Sequence, residues 1–190
     1  TFEFAEGSSH FFVKKRQPNE DSDHDGTDLI LRNLEEGYEE LIGSVDEAEF
    51  NEAGTLFAYS VDAADRDGNG LYYVNLGTGS RRALDNAKQR YTQLTWSEDG
   101  RGIAVLRGEI PEKRTERVNA LIAFVGMDEE SPQGHVFDPS NHQGLTEGSV
   151  ISEKDGLTWS EDLETIFVGT KAQQDELEDW PEDGLPLADV

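Results

Sequence analysis

The feature that most constrains this chain is a repeat built around an aromatic residue. Four ten-residue segments align without gaps, and they begin at Phe4, Phe50, Trp96 and Trp159. In each segment the aromatic residue is followed by a polar turn and by three apolar residues at positions +7 to +9. The four aromatic residues lie 46, 46 and 63 residues apart. Regular spacing of this length is typical of architectures in which similar units stack side by side.

The sequence of each unit predicts a β-hairpin. In the third unit, Tyr91–Trp96 alternates and is β-prone, Ser97–Gly100 has turn chemistry, and Ile103–Leu106 predicts a short strand buried on both faces. Gly at the fourth turn position is free to adopt a positive φ. The second unit has Gly54 there, but the fourth has Leu163. We therefore expect the last turn to take another shape or to hold Leu163 under strain.

The spacers between hairpins predict a second strand pair. The segments 28–34 and 38–42 flank one turn, and 70–76 and 80–84 flank an equivalent turn one unit later. Two strands plus two strands in about 46 residues match one four-stranded blade of a β-propeller. We predict an all-β fold, a partial β-propeller of about three and a half four-stranded antiparallel blades with a long insertion in the third. The blades cover residues 1–170, and residues 171–190 form an acidic tail or the start of the missing remainder.

One motif carries a family resemblance. The run Trp96-Ser-Glu-Asp-Gly100, followed by an apolar strand, resembles the Trp-Ser-Pro-Asp-Gly signature of TolB-type, WD-repeat-like propellers, with Glu98 where the family commonly has Pro. Such propellers occur in TolB-like periplasmic proteins and as the N-terminal propeller of prolyl oligopeptidase-family serine peptidases. The insertion before Trp159 favours the peptidase-associated kind. The resemblance implies a periplasmic or secreted protein, with a cytoplasmic location as the alternative.

The number of repeats predicts an incomplete ring. Propellers usually close with four to eight blades, and an unclosed one leaves a sheet face and blade edges uncovered. We therefore expect an open arc, or an arc completed by more of a parent chain or by a second copy of this chain.

The net charge of the chain argues against two classes of binding partner. The chain has 41 acidic and 16 basic residues, for a net charge of -25. A field of this sign repels nucleic acid and anionic membrane surfaces, so neither is an expected partner. An acid-rich, lysine-poor surface resembles proteins adapted to high salt, although an ordinary acidic protein has the same composition. The absence of cysteine excludes thiolate nucleophiles and thiolate metal sites.

Two loops fit the first half of a calcium-binding loop, in which alternate side-chain oxygens surround the cation and a glycine permits the bend. Their candidate ligands are Asp21, Asp23, Asp25, Asp65, Asp67 and Asn69. The twelfth position, which should supply a bidentate Glu, is Arg32 in one loop and Leu76 in the other. Solvated hairpin turns explain the same pattern, so structural calcium stays an alternative and no cofactor is required.

No motif predicts a catalytic centre. The Gly-x-Ser-x-Gly pentapeptide of serine hydrolases is absent. His135 and His142 flank a loop without a regular element to hold a metal, and we interpret them as loop polar residues. The insertion concentrates Lys113, Arg114 and Arg117, which mark either a binding loop or a tolerated surface loop.

The predicted function is therefore that of a non-catalytic propeller fragment, one that binds a peptide or protein or gates substrate entry in a larger prolyl oligopeptidase-like serine peptidase. The alternatives are a TolB-like periplasmic interaction module and a calcium-stabilised surface or adhesion module.

Overall fold

The computed structural model describes residues 1–16, 22–141 and 146–175. These residues form antiparallel β-sheets and two short 3-10 turns, Glu6–Ser8 and Pro139–Asn141, and no α-helix occurs among them. The same residues contain no helix with the length and hydropathy needed to cross a lipid bilayer.

The first two blades share one long strand. Blade 1 consists of β1 (Phe2–Phe4), β2 (His10–Lys14), β3 (Thr27–Asn33) and the first half of β4 (Glu39–Phe50). Blade 2 consists of the second half of β4, β5 (Leu56–Val61), β6 (Gly70–Asn75) and β7 (Ser80–Asn86). Within β4, Val45 is the crossover point, because it pairs with Thr27 of β3 and with Val61 of β5.

The third blade is complete, whereas only one hairpin of the fourth is described. Blade 3 consists of β8 (Arg90–Trp96), β9 (Gly102–Glu109), β10 (Val118–Val125) and β11 (Gln133–Phe137). In blade 4, β12 (Ser149–Ile151) pairs with β15 (Thr170–Ala172), and β13 (Thr158–Trp159) pairs with β14 (Ile166–Phe167). The prediction of a partial propeller of about three and a half antiparallel blades is confirmed.

The blades pack face to face through three apolar cores. Because side chains alternate along a strand, one strand supplies both of its neighbouring cores. Phe57 and Tyr59 of β5 face blade 1, whereas Leu56 and Ala58 face blade 3. Strand β9 repeats the arrangement one blade later: Ile103 and Val105 face blade 2, and Ala104 and Leu106 face blade 4. The prediction that Ile103–Leu106 is buried on both faces is confirmed, since all four residues are fully buried.

The turn after each aromatic residue has one backbone feature in common in all four units, although the first turn also has a positive φ at Gly7. The residue at its fourth position has a positive φ of 57° at Ser8, 62° at Gly54, 67° at Gly100 and 60° at Leu163. The amide of Leu163 also donates to the carbonyl of Ser160, as the amide of Gly100 does to that of Ser97. Of the two expectations for the fourth turn, another shape or strain at Leu163, the second is observed. The turn holds Leu163 in the left-handed region of backbone conformation.

The extra residues of the third interval are spread over several connections. They lie mainly in the β9–β10 loop, in the β11–β12 connection and in the segment 152–157 between β12 and β13. The boundary predicted at residue 170 falls within β15, and residues 176–190 lie outside the described part of the chain, so the predicted division into blades and tail stays a prediction.

Candidate functional site at the inner edge

The first strands of successive blades lie close to one another, and the blades diverge from there. Strand β8 contacts β4, β5 and β6, and β12 contacts β10. We call this convergent side the inner edge; it consists of β1, residues 45–50 of β4, β8, β12 and β13. Indole groups join its strands: Trp96 Nε1 donates to the carbonyl oxygen of Glu49, and Trp159 Nε1 donates to that of Thr95. We call the aromatic residue that begins each repeat segment its anchor. The anchors Trp96 and Trp159 thus hold one blade to the preceding one.

Each first strand of blades 2 to 4 is interrupted at the same place on the inner edge. The register shifts between Val45 and Ala48 in β4 and between Thr92 and Thr95 in β8, and residues 152–157 separate β12 from β13. Such bulges interrupt the ladder and redirect side chains, and they are frequent beside functional sites. The interruptions therefore present polar groups from three blades along one edge.

These interruptions are hydrogen-bonded from blade to blade. The carboxylate of Glu47 accepts from the amide of Gln93 at 3.0 Å and from that of Leu94 at 2.6 Å. Gln93, which has a positive φ of 58°, donates its side-chain amide to the carbonyl oxygen of Glu153. The Glu153 carboxylate in turn accepts from Asn119 Nδ2 at 2.9 Å and pairs with Arg117 Nε at 2.8 Å. The inner edge is therefore a continuous polar network, and Arg117 of the insertion belongs to it.

Four carboxyl groups of the inner edge have raised pKa values, those of Glu3, Asp46, Glu47 and Glu49. Burial raises the pKa of Glu47, although the amides of Leu94 and Gln93 oppose the shift. Burial also raises the pKa of Glu3, which accepts from the amide of Phe50. For Glu49, burial and the neighbouring Glu3 and Glu47 raise the pKa to about 7. Proximity of like charges and loss of hydration both disfavour the ionised carboxylate, so this edge changes its charge near neutral pH.

Arg90, at the start of β8, is a cation of the inner edge that contacts three other segments of the chain. Its guanidinium pairs with Asp25, lies 3.1 Å from Asp46 and lies 3.9 Å from Asp62. Burial raises the pKa of Asp46, although Arg90 opposes that shift. Asp62 also accepts from the amide of Asp25 at 2.9 Å. Of the first group of calcium candidates, Asp25 is therefore paired with an arginine, and Asp21 lies outside the described residues.

The second group of calcium candidates also has protein partners. Asn69 is buried and donates to Asp62 Oδ1 at 3.1 Å, while its own Oδ1 accepts from the amide of Ala63. Asp65 accepts from the amide of Asp67, and Asp67 pairs with Lys88. Among the described residues no group of three or more histidine or acidic side chains is arranged to hold a metal ion. Calcium binding stays a prediction, open to a titration of thermal stability with Ca²⁺.

The remaining candidates from the sequence lie away from the inner edge. His135 lies on β11, which is the edge strand of blade 3 farthest from β8. His142 lies outside the described residues. Arg114 pairs with Asp175, which ties the β9–β10 loop to the end of the described chain. The interpretation of His135 as a loop residue is wrong, because it pairs with Ala123 within a strand ladder.

Sequence reasoning missed Glu47, Glu49 and Arg90. With 41 acidic residues in the chain, no single carboxylate stands out. Their position along the repeat was a usable signal: Glu49 immediately precedes the anchor Phe50, Glu47 lies two residues earlier, and Arg90 starts the strand that ends at the anchor Trp96. In a repeat fold, residues just before the anchor belong to the first strand and hence to the inner edge.

Comparisons with known proteins show similarity at the level of structure. No protein-family model matches the chain, and no curated protein matches it in sequence. Porphyromonas gingivalis dipeptidyl peptidase 4 is 9% identical, with a TM-score of 0.61, over 89% of this chain and 28% of that chain. Kuenenia stuttgartiensis hydrazine synthase is 10% identical, with a TM-score of 0.52, over 88% and 48%. TolB from Acinetobacter baumannii is 16% identical, with a TM-score of 0.47, over 86% and 35%.

Likeness at these identities concerns the fold, and the chain spans less than half the length of each of the three proteins. Fold alone does not fix function, which resides in the residues that a scaffold positions. The propeller fold that the sequence resemblance implied is confirmed for this chain.

Proposed function

We propose that this chain is a non-catalytic propeller module that binds basic peptide segments at its inner edge and so filters substrates for a serine peptidase domain of a larger protein. The observation that carries the proposal is the row of carboxyl groups on the inner edge, contributed by Glu3, Glu47 and Glu49. Complementary charge guides association and suppresses wrong partners. A peptide rich in Lys or Arg is therefore the ligand that this edge favours.

Two observations, one from the sequence and one from the geometry, support the proposed non-catalytic role. The Gly-x-Ser-x-Gly pentapeptide is absent from the chain. His10 is buried against Ser9, whose hydroxyl lies 3.0 Å from His10 Nδ1, but no carboxylate hydrogen-bonds to this ring among the described residues. A nucleophile–base pair needs a third group that orients the base. We therefore expect no hydrolysis of peptide or ester substrates by the purified chain.

The proposal is tested by fluorescence anisotropy with two labelled peptides of equal length, one rich in Lys and one rich in Glu. At pH 8 and low salt we expect the Lys-rich peptide to bind at least about tenfold more tightly, which corresponds to ~1.4 kcal/mol. Because the pKa of Glu49 is about 7, this binding should weaken when the pH falls to 6. The Glu49→Gln variant should lose most of that pH dependence.

Glu112→Gln is the matched control, since it removes the same charge from an exposed residue outside the inner edge. It should bind the Lys-rich peptide as the unaltered chain does. Equal weakening by both substitutions would mean that only the overall negative charge attracts the peptide, and the proposed site would be wrong. Turnover of a peptide substrate by the purified chain would contradict the non-catalytic role.

A further inference from the structure

A groove of about 880 Å³ lies between blades 1 and 2, at the end of the strands where the hairpin turns are. We call it the turn groove. Its walls are the start of β2, the β3–β4 turn, the β4–β5 turn and the β6–β7 turn. Its volume is in the range of small-molecule sites. None of its described lining residues belongs to the inner edge, so the turn groove is a separate candidate site.

The turn groove has an apolar floor and an acidic rim. Among its lining residues, Leu31 and Val74 are buried, whereas Glu35, Glu36 and Tyr38 are exposed. The buried pair therefore forms the floor, and the exposed carboxylates and the phenol ring form the rim. Such a surface matches a ligand that combines a positive charge with a hydrocarbon chain.

The carboxylates of the rim are not neutralised by the protein. Glu40 of the same groove pairs with Arg81, whereas Glu35 and Glu36 have no ion-pair partner within residues 1–16, 22–141 and 146–175. The backbone amides of Glu35 and Glu36 both donate to Asn33 Oδ1 at 2.9 Å, which fixes the turn that carries them. Two adjacent carboxylates are therefore held at the rim without a cation.

A buried histidine lines the same groove. His10 is 9% exposed, and its Nδ1 lies 3.0 Å from Ser9 Oγ. Its other ring nitrogen, Nε2, has no hydrogen-bond partner in the described part of the chain and is not enclosed by protein atoms. Burial lowers the pKa of His10, although the charges of Glu35 and Glu36 oppose the shift, so the ring is neutral at pH 7.5. A neutral ring nitrogen without a protein partner is available to a ligand in the groove.

The groove between blades 2 and 3 is the counterpart of the turn groove, and there the protein supplies the cation. It has a volume of about 570 Å³, and Arg101, Asp128 and Glu129 line it. Arg101 pairs with Asp99, which raises the pKa of the guanidinium, and Asp128 and Glu129 add to this effect. In the turn groove the matching position of the repeat, five residues after the anchor, is Thr55. The turn groove therefore has the acidic groups of its counterpart but lacks the arginine.

We propose that the turn groove binds an alkylammonium group, which belongs either to a free polyamine or to a lysine side chain. The carboxylates of Glu35 and Glu36 accept its charged N–H groups, and such charge-assisted hydrogen bonds are stronger than neutral ones. The exposed ring of Tyr38 offers a face to the same cation. The ligand thus takes the place that the guanidinium of Arg101 has in the next groove.

The buried part of the groove favours an organic cation over a metal ion. Leu31 and Val74 cover methylene groups, which a bare ion does not have. His10 Nε2 is a hydrogen-bonding group for a second nitrogen of a polyamine. Among the described residues, no three histidine or acidic side chains are arranged to hold a metal ion.

The test is isothermal titration calorimetry at pH 7.5 with two probes, spermidine and a capped tripeptide that has a central lysine. The buffer contains about 0.15 M potassium chloride, which screens attraction by charges farther than ~8 Å away. We expect one molecule of spermidine to bind per chain. Binding of spermidine alone assigns the site to free polyamines, whereas binding of both probes assigns it to lysine side chains as well.

Two double variants locate the site. Glu35→Gln with Glu36→Gln should weaken spermidine binding by about tenfold or more, because it removes both charged acceptors. Asp128→Asn with Glu129→Gln is the matched control, since it removes the same charge from exposed residues of the other groove. It should leave the dissociation constant within about twofold. Equal weakening by the two double variants would overturn the proposal, because only the overall negative charge would then attract the probe.

A substitution that keeps both carboxylates tests the comparison of the two grooves. Thr55→Arg places an arginine at the position of Arg101, and it should weaken spermidine binding by about tenfold or more. Spermidine should also shift the imidazole NMR signal of His10, which the His10→Gln variant assigns. Unaltered binding by Thr55→Arg would overturn the proposal. A chain that binds neither probe while keeping the circular dichroism spectrum of a β-sheet protein would overturn it as well.

Discussion

Blade 1 and blade 2 have the same repeat positions in opposite environments. The anchor Phe50 is 5% exposed and its ring centroid lies 5.0 Å from that of Phe57. The anchor Phe4 is 53% exposed, and its ring stacks on Phe11 with the centroids 5.4 Å apart. Both pairs lie at the anchor and +7 positions of their units. The comparison shows that the unit determines which side chains share a face, whereas the neighbouring blade determines whether that face is buried.

The largest expected effect comes from truncating the two anchors. Phe50→Ala should lower the free energy of unfolding by ~3–5 kcal/mol, because it leaves a cavity in a packed aromatic cluster. Phe4→Ala should lower it by less than about 1 kcal/mol, because Phe4 is half exposed. Urea unfolding of both variants at low protein concentration and low salt measures the difference. Equal losses would mean that blade 1 is covered in the folded chain.

The next largest loss in the free energy of unfolding should come from a substitution at the junction of blades 1, 2 and 3. Arg90→Gln leaves the buried carboxylates of Asp46 and Asp62 without their cation, and we expect a loss of about 3 kcal/mol. Lys15→Gln removes a comparable pair with Asp28 from the exposed rim of blade 1, and it should cost less than about 1 kcal/mol. Urea unfolding tests both. A loss for Lys15→Gln as large as for Arg90→Gln would show that burial does not distinguish the two sites.

The turns of blades 2 and 4 should respond in opposite directions to substitution at their fourth position. A Cβ added at Gly54 would lie 2.6 Å from the carbonyl oxygen and 2.7 Å from the amide nitrogen of Glu6, so the blade 2 turn packs directly on blade 1. Gly54→Ala should therefore destabilise the chain by more than about 1 kcal/mol. Leu163→Gly should stabilise it by up to ~1 kcal/mol, because it relieves a non-glycine residue at φ 60°. Thermal melts that give the two changes the same sign would contradict the assigned turn geometry.

The smallest expected effect is a pH dependence confined to the inner edge. The pKa of Glu49 is raised from 4.5 to about 7 in the folded chain, so folding favours its protonated form. Its contribution to stability is therefore fully present below pH 4.5 and is lost as the pH rises through about 7. The melting temperature of the unaltered chain should fall between pH 5 and 8 by more than that of Glu49→Gln. Parallel curves for the two proteins would show that Glu49 is not desolvated.

Much of the fold could be predicted because the repeat encodes it locally. The alternation of Tyr91–Trp96, the turn at Ser97–Gly100 and the apolar run Ile103–Leu106 each correspond to an observed feature of blade 3. The bulge at Gln93 had no such local signal, because a positive φ at glutamine has no compositional signature. The inner edge also escaped prediction, since the contact of Arg90 with Asp25 joins residues far apart in the chain.

The anchor of blade 1, Phe4, lies on an inter-blade face that no described residue covers, whereas the anchor of blade 2, Phe50, lies in a filled core. The chain has no cysteine, so Phe4→Cys and Phe50→Cys each introduce one thiol for labelling. At low salt and low concentration we predict that a thiol reagent modifies Cys at position 4 at least about 100-fold faster than at position 50, where labelling requires opening of the core. Equal labelling rates at the two positions would mean that the two anchors do not differ in burial.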